Sequence, residues 1–130
     1  MKRAEIFARD EWRCVYCGLV HPVDALSVDH VQPRAKGGDS SGGNVVTACT
    51  ACNTLKASRS LAAFLAENEG ARRNFFALGK YVWARHLRAV AEELVRRGIV
   101  AEGPDFVEGV RGQRGSEATA SLQDVEADKE

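Results

Sequence analysis

The sequence predicts an α+β fold, a small strand–loop–strand–helix unit braced by four cysteines and followed by C-terminal α-helices. Three observations carry this expectation. The cysteines stand in two C-x-x-C pairs, Cys14/Cys17 and Cys49/Cys52. Two β-prone stretches, residues 26–31 and 45–48, flank a segment of Gly, Ser, Lys and Asp. Beyond residue 60, large apolar residues recur at helical spacing.

Taken in order, residues 2–12 read as a short helix, with Ile6 and Phe7 facing inward and Lys2, Arg3, Arg9 and Glu11 in water. Trp12, Val15 and Tyr16 are expected to pack beside the first cysteine pair. Gly18 follows that pair directly, and a tight metal knuckle needs a residue that accepts positive φ. In Leu26–Val31, Leu26 and Val28 alternate with Ser27, and Pro33 ends the strand because it lacks a ladder donor. Residues 34–43 form a loop. Residues 45–48 are placed to pair antiparallel with the first strand, and Leu55, Lys56 and Ala57 suit the helix that follows.

A second region begins near Arg59. Leu61, Phe64 and Leu65 have helical spacing, and Gly70 interrupts. Phe76, Trp83, Leu87, Val90 and Leu94 then recur at sevens and at threes or fours, predicting one amphipathic helix that ends near Gly98. Its apolar stripe suits a core, with contact to a second copy of the chain or to nucleic acid as the alternatives, and Arg72, Arg73, Arg85, Arg88, Arg96 and Arg97 read as a solvated face or as candidate phosphate contacts. The expected division is therefore residues 1–60, a helical extension 61–101, and a tail 102–130. The tail is rich in Gly, Ser and acids and too poor in large apolar residues to offset its ordering entropy, so it is expected to be disordered.

The chain has 130 residues and zero formal net charge. That zero hides a partition. Residues 1–60 carry 8 basic and 6 acidic side chains, residues 61–101 carry 7 and 4, and the tail carries 3 and 8. A cationic body suits an anionic partner. No apolar run approaches the length of a bilayer span, and the first residues lack the apolar core of a signal peptide. A cytoplasmic location without membrane contact is the expectation.

In a reducing compartment, paired C-x-x-C motifs read as thiolate metal ligands rather than disulfides. A redox motif needs one pair and gives no reason for a second; free buried thiols are the other alternative. Four thiolates complete a tetrahedral zinc site with no open position, so Cys14, Cys17, Cys49 and Cys52 are expected to hold a structural Zn²⁺. A structural zinc contributes about 10–16 kcal/mol of apparent binding energy and can decide whether so small a loop folds.

Asp29 and His30 suggest separate chemistry. A carboxylate is a hard ligand for a divalent cation, and imidazole is the side chain that exchanges a proton near neutral pH. Neighbours on a strand point to opposite faces, so the two converge only where the strand bends or ends. A hydrogen-bonded core histidine is the competing reading of His30. His21 and His86 fit no catalytic pattern and read as structural or surface residues.

The full string is more specific. It runs Cys14-Val-Tyr-Cys-Gly18, then Val28-Asp-His-Val-Gln-Pro-Arg-Ala-Lys-Gly-Gly38, then Asn44, then Cys49-Thr-Ala-Cys-Asn-Thr-Leu-Lys56. With the lead-in Ile6-Phe-Ala-Arg-Asp10, it closely resembles the HNH endonuclease family, in the branch whose motif is braced by four cysteines. The resemblance covers about residues 3–60. It implies a ββα-metal core and metal-dependent, one-metal hydrolysis or nicking of DNA, most naturally double-stranded. On the matching positions, His30 would be the general base and Asp29 a ligand of the catalytic ion. Asn44 would pin the loop between the strands. Asn53 stands where many members carry a second histidine, making this an HNN variant. An amide oxygen is acceptable to Mg²⁺ or Mn²⁺ and is a weaker ligand for Ni²⁺ or Co²⁺; Asn53 as a helix-surface residue is the alternative. Arg34, Lys36 and Lys56 are candidates for phosphate contact or for solvated charge, Lys56 lying three residues after Asn53 and hence on the same side of the helix. The competing function is a zinc-braced module that binds nucleic acid or protein without catalysis, and a homodimer through the C-terminal helices is compatible with either.

Overall fold

The computed structural model describes residues 1–99. The tail expected to be disordered, 102–130, lies outside the described residues, as do residues 100 and 101. The elements are α1 (Arg3–Arg9), β1 (Leu26–His30), β2 (Val45–Cys49), α2 (Thr50–Lys56), α3 (Leu61–Glu67), α4 (Glu69–Leu78) and α5 (Ala84–Arg96). Short 3₁₀ turns cover Val23–Ala25, Arg34–Lys36 and Gly42–Asn44.

β1 and β2 pair antiparallel, with Asp29 opposite Val46 and His30 opposite Val45. All five residues of β2 are buried, because helices cover both faces of this two-stranded ribbon. On one face Thr47 Oγ1 donates to Asp10 Oδ2 at 2.8 Å, joining β2 to the end of α1. On the other, Ser27 and Asp29 point to α2, where Asn53 and Lys56 meet them. This is the ββα arrangement, a mixed helix and two-strand fold with four clustered cysteines.

α1 departs from the expectation that its basic residues stay in water. Arg9 is largely covered. Its guanidinium donates to the carbonyls of Gly42 and Val45 at 2.8 and 2.9 Å, pairs with Asp10 at 2.8 Å and lies over the Tyr81 ring. Those two carbonyls lie where the loop enters β2, and a planar five-donor fork satisfies both together. Trp12 departs in the opposite direction. The chain turns at Glu11 and Trp12 with φ of 59° and 55°, which leaves the indole 42% exposed rather than packed on the knuckle.

The single amphipathic helix expected through Trp83 is two helices. The backbone N–H of Trp83 donates to Gly43 O at 2.9 Å instead of to a helical carbonyl, and residues 79–83 form the turn. The periodicity carried across the break because Phe75 and Phe76 of α4 and Leu87, Val90 and Leu94 of α5 enter the same core. The interruption expected at Gly70 falls instead at Asn68, where α3 ends and whose side-chain amide donates to Phe64 O at 2.8 Å.

One hydrophobic core unites these pieces. Tyr16, from between the first two cysteines, packs edge-on to Phe64 of α3 at 5.4 Å and stacks on Phe75 of α4 at 6.4 Å. Asn74 of α4 donates to Tyr16 O at 2.7 Å, fastening α4 to the knuckle. No helix among the described residues is long and apolar enough to cross a membrane.

Gly43 is where the loop meets α5. A Cβ there would lie 2.2 Å from atoms of the Trp83 ring. Gly43→Ala is therefore expected to destabilise the fold by about 1–3 kcal/mol, the usual cost of overpacking, measured by urea denaturation followed through tryptophan fluorescence.

Candidate functional site

The two cysteine knuckles have matching geometry. The N–H groups of Tyr16 and Cys17 point at Cys14 Sγ at 3.3 and 3.4 Å, and the N–H of Cys52 points at Cys49 Sγ at 3.3 Å. Gly18 turns the first knuckle with φ of 77°, and Cys49 caps the N-terminus of α2. All four Sγ atoms lie within 4.8 Å of one another, and none is in a disulfide. A tetrahedron with Zn–S bonds of about 2.3 Å has edges of about 3.8 Å, so the cluster fits such an ion.

The chemistry of the cluster agrees. Burial, followed by the charges of neighbouring thiolates, pushes Cys52 far above the ordinary thiol range, and burial raises Cys14. Burial also acts upward on Cys49, but donors at Cys52 and the nearby thiols outweigh it and lower that group. Four such sulfurs are stable together as thiolates only around a cation. The four-cysteine cluster points to a structural zinc. His21 Nε2 lies 3.4 Å from Cys17 Sγ, a contact the sequence did not signal, since a lone histidine four residues away has no defined direction.

Asn44 is wholly buried, and its side chain binds both ends of the loop between the strands. Its Oδ1 accepts from Gln32 N at 2.8 Å, while Nδ2 donates to Gln32 O at 2.9 Å and Asp39 O at 2.8 Å. Its backbone carbonyl accepts from Val31 N at 2.8 Å. The loop leaving β1 is thereby fixed where His30 stands. His30 itself is exposed, with Nε2 3.2 Å from Ser40 Oγ of the same loop.

Asp29 is more enclosed. Lys56 Nζ donates to both carboxylate oxygens at 2.9 Å, and the Tyr16 hydroxyl donates to Oδ2. The lysine and aspartate side chains are only 11% and 14% exposed. Burial, and then the Asp29 charge, holds the Tyr16 phenol well above its ordinary range, so it remains a donor. Asn53 Nδ2 donates to Ser27 Oγ, which leaves its amide oxygen without a donor among the described residues.

Asp29 and His30 line one cleft of about 620 Å³ despite their adjacent strand positions, since β1 ends at His30. Lys36, Lys56 and Arg59 share this cleft, and α5 supplies Glu93, Arg96 and Arg97 as its other wall. Glu93 accepts from Arg96 and Arg97 at 2.9 and 3.2 Å, which orients both guanidinium groups. Arg34 is exposed and Asn53 half-buried, and neither is among the cleft residues. Lys56 is where its spacing from Asn53 put it, on the side of α2 facing β1, but its ammonium is bound to Asp29 instead of being free in solvent. Arg96 and Arg97 were candidate phosphate contacts in the sequence, whereas their place in this cleft and the contributions of Tyr16 and Ser40 were not legible there, because each depends on contacts between distant segments.

A family model described as HNH endonuclease matches residues 14–59. This segment of the chain is therefore similar to an HNH endonuclease domain. The match begins at the first cysteine and ends just past α2, so it includes both knuckles, β1, the Asn44 loop and Lys56. Among curated proteins none matches the chain. An HNH domain points to a nuclease or nucleic-acid-binding function, and the α5 wall of the cleft lies outside the matched segment.

The apparent binding energy of structural zinc, about 10–16 kcal/mol, is as large as the usual net stability of a domain, about 5–15 kcal/mol. Removing the ion with a strong chelator is therefore expected to unfold the HNH segment, seen as loss of amide chemical-shift dispersion. Elemental analysis is expected to give one zinc per chain, and Cys52→Ser to lose it.

Proposed function

We propose that this chain is a metal-dependent endonuclease that hydrolyses or nicks DNA, with double-stranded DNA as substrate. The observation that carries the reading is the convergence of Asp29 and His30 on one cation-rich cleft whose loop is fixed by buried Asn44. Lys36, Arg59, Arg96 and Arg97 offer phosphate contacts along that cleft.

In this reading an imidazole nitrogen of His30 takes the proton of a water whose oxygen attacks the scissile phosphorus. The bond from phosphorus to the leaving oxygen then breaks. Ser40 orients the imidazole, and Asn44 holds the loop that carries Ser40. Asp29 and the amide oxygen of Asn53 are the hard donors that would hold a Mg²⁺ or Mn²⁺. When bound, such an ion supplies charge neutralisation at the phosphate and at the leaving oxygen. The donor set fits this class of ion, since both groups offer oxygen and Asp29 already sits against a positive charge. Ni²⁺ and Co²⁺ are poorer matches to a carboxylate and an amide.

A second reading, a zinc-braced binding module without cleavage, draws support from one observation: both oxygens of Asp29 are occupied by Lys56. Supercoiled plasmid incubated with Mg²⁺, Mn²⁺, Co²⁺ or Ni²⁺ separates the two. The expected result is divalent-dependent nicking that falls about 10²–10⁴-fold in His30→Ala, the usual scale of general-base catalysis, with zinc content unchanged. Equal nicking by His30→Ala would remove His30 from the mechanism. Retained DNA binding with no cleavage in any metal would establish the binding module.

A further inference from the structure

We propose that Lys56 is a built-in stand-in for the catalytic cation. It neutralises Asp29 in the metal-free site and passes to a substrate phosphate when a divalent ion is bound, so that metal and nucleic acid bind cooperatively. The proposal rests on the nuclease reading and adds to it a means of regulating the same site.

The geometry points to Lys56 on three counts. First, a carboxylate only 14% exposed needs a counter-charge, and Lys56 supplies one to both oxygens at 2.9 Å. The same lone pairs would bind a divalent ion. An ammonium on both oxygens, with the Tyr16 hydroxyl on one of them, takes three of about four lone-pair sites and repels a second cation. Second, Lys56 is the last residue of α2, and its four-carbon stem lies in the wall of the cleft that also holds His30, Lys36 and Arg59. The ammonium can change partners by rotating its own side chain, with no movement of the helix. Third, Asp29 keeps a donor when Lys56 leaves. The Tyr16 hydroxyl bonds Oδ2 and is anchored in the core between Phe64 and Phe75, so the carboxylate stays oriented.

The energetic consequence is a coupling between ligands. Without substrate, binding a divalent ion at Asp29 displaces Lys56 into water and loses a partly buried ion pair. With a phosphate in the cleft, the displaced ammonium gains a new partner, so the ion binds more tightly. By linkage, the ion strengthens phosphate binding by the same factor. Lys56 is thus a positioning residue in the metal-free site and a substrate contact in the loaded one.

The test measures Mn²⁺ binding by titration calorimetry on the full, zinc-loaded chain carrying His30→Ala, so that DNA stays intact. Adding Lys56→Gln is expected to raise Mn²⁺ affinity about tenfold without DNA, within the usual range of coupling between sites. A short DNA duplex is expected to tighten Mn²⁺ binding more in the Lys56 parent than in Lys56→Gln, where only the direct interaction of ion and phosphate remains. If Asp29→Asn weakens Mn²⁺ binding but Lys56→Gln binds no better than its parent, the stand-in role is overturned while Asp29 remains a ligand. If Asp29→Asn leaves Mn²⁺ binding unchanged, the metal-ligand reading of Asp29 fails and the stand-in role fails with it. Should Lys56→Gln not fold, amine acylation of the Lys56 parent read by mass spectrometry decides the matter. Mn²⁺ is expected to increase labelling at Lys56 and duplex DNA to reduce it again. Labelling that stays flat at saturating Mn²⁺ overturns the proposal.

Discussion

The constraint on which the rest of the HNH segment depends is the gathering of four sulfurs, two buried and two half-buried, within 4.8 Å. Neighbouring thiolates push Cys52 upward, and a cation between the four sulfurs relieves the repulsion among them as thiolates. The cluster also fixes backbone direction. Cys14 and Cys17 place Tyr16 in the core, where its hydroxyl reaches Asp29. Cys49 ends β2 and caps α2, so the same sulfur that would hold the metal aims Asn53 and Lys56 at β1. The closed cysteine site and the open cleft are therefore mechanically joined at the β2–α2 corner.

The C-terminal helices do more than cover a sheet. A two-stranded ribbon with a short helix buries too little apolar surface for independent stability. Phe64, Leu65, Phe75, Leu87 and Leu94 extend that core across α3, α4 and α5. The same packing puts Arg96 and Arg97 across the cleft from His30, giving the cleft a wall the HNH motif itself does not supply. Gly43 and Trp83 set the spacing between the two parts. A backbone hydrogen bond and a ring laid against the missing Cβ leave room for no side chain at that point.

Charge in the cleft is managed by pairing rather than by simple accumulation. Lys56 is matched to Asp29, and Arg96 and Arg97 share Glu93, leaving Lys36 and Arg59 beside His30. Arg59 also pairs with Glu67, which is 64% exposed and screened by solvent. Pairs of this kind orient side chains and exchange partners at small cost, and an anionic ligand can recruit them without refolding the cleft.

The sequence by itself determined the parts whose signals are local or chemically specific. Four cysteines in two pairs announced a metal cluster, alternation ahead of Pro33 and a β-prone run after the Gly-rich segment placed two strands, and Asn44 marked the loop between them. Even the side of α2 that carries Lys56 was readable from helical period. Tertiary structure alone decided what those groups touch. Arg9 left solvent because two loop carbonyls lay within reach, and Trp12 entered solvent because the backbone turned at positive φ. One apolar period became two helices when the Trp83 N–H found Gly43. Lys56, legible as a surface cation, became the partner of Asp29 because β1 pairs with β2 and α2, which follows β2 directly, lies against β1. Periodicity reports which face a residue occupies, whereas the identity of its partner depends on long-range contacts that no local pattern encodes.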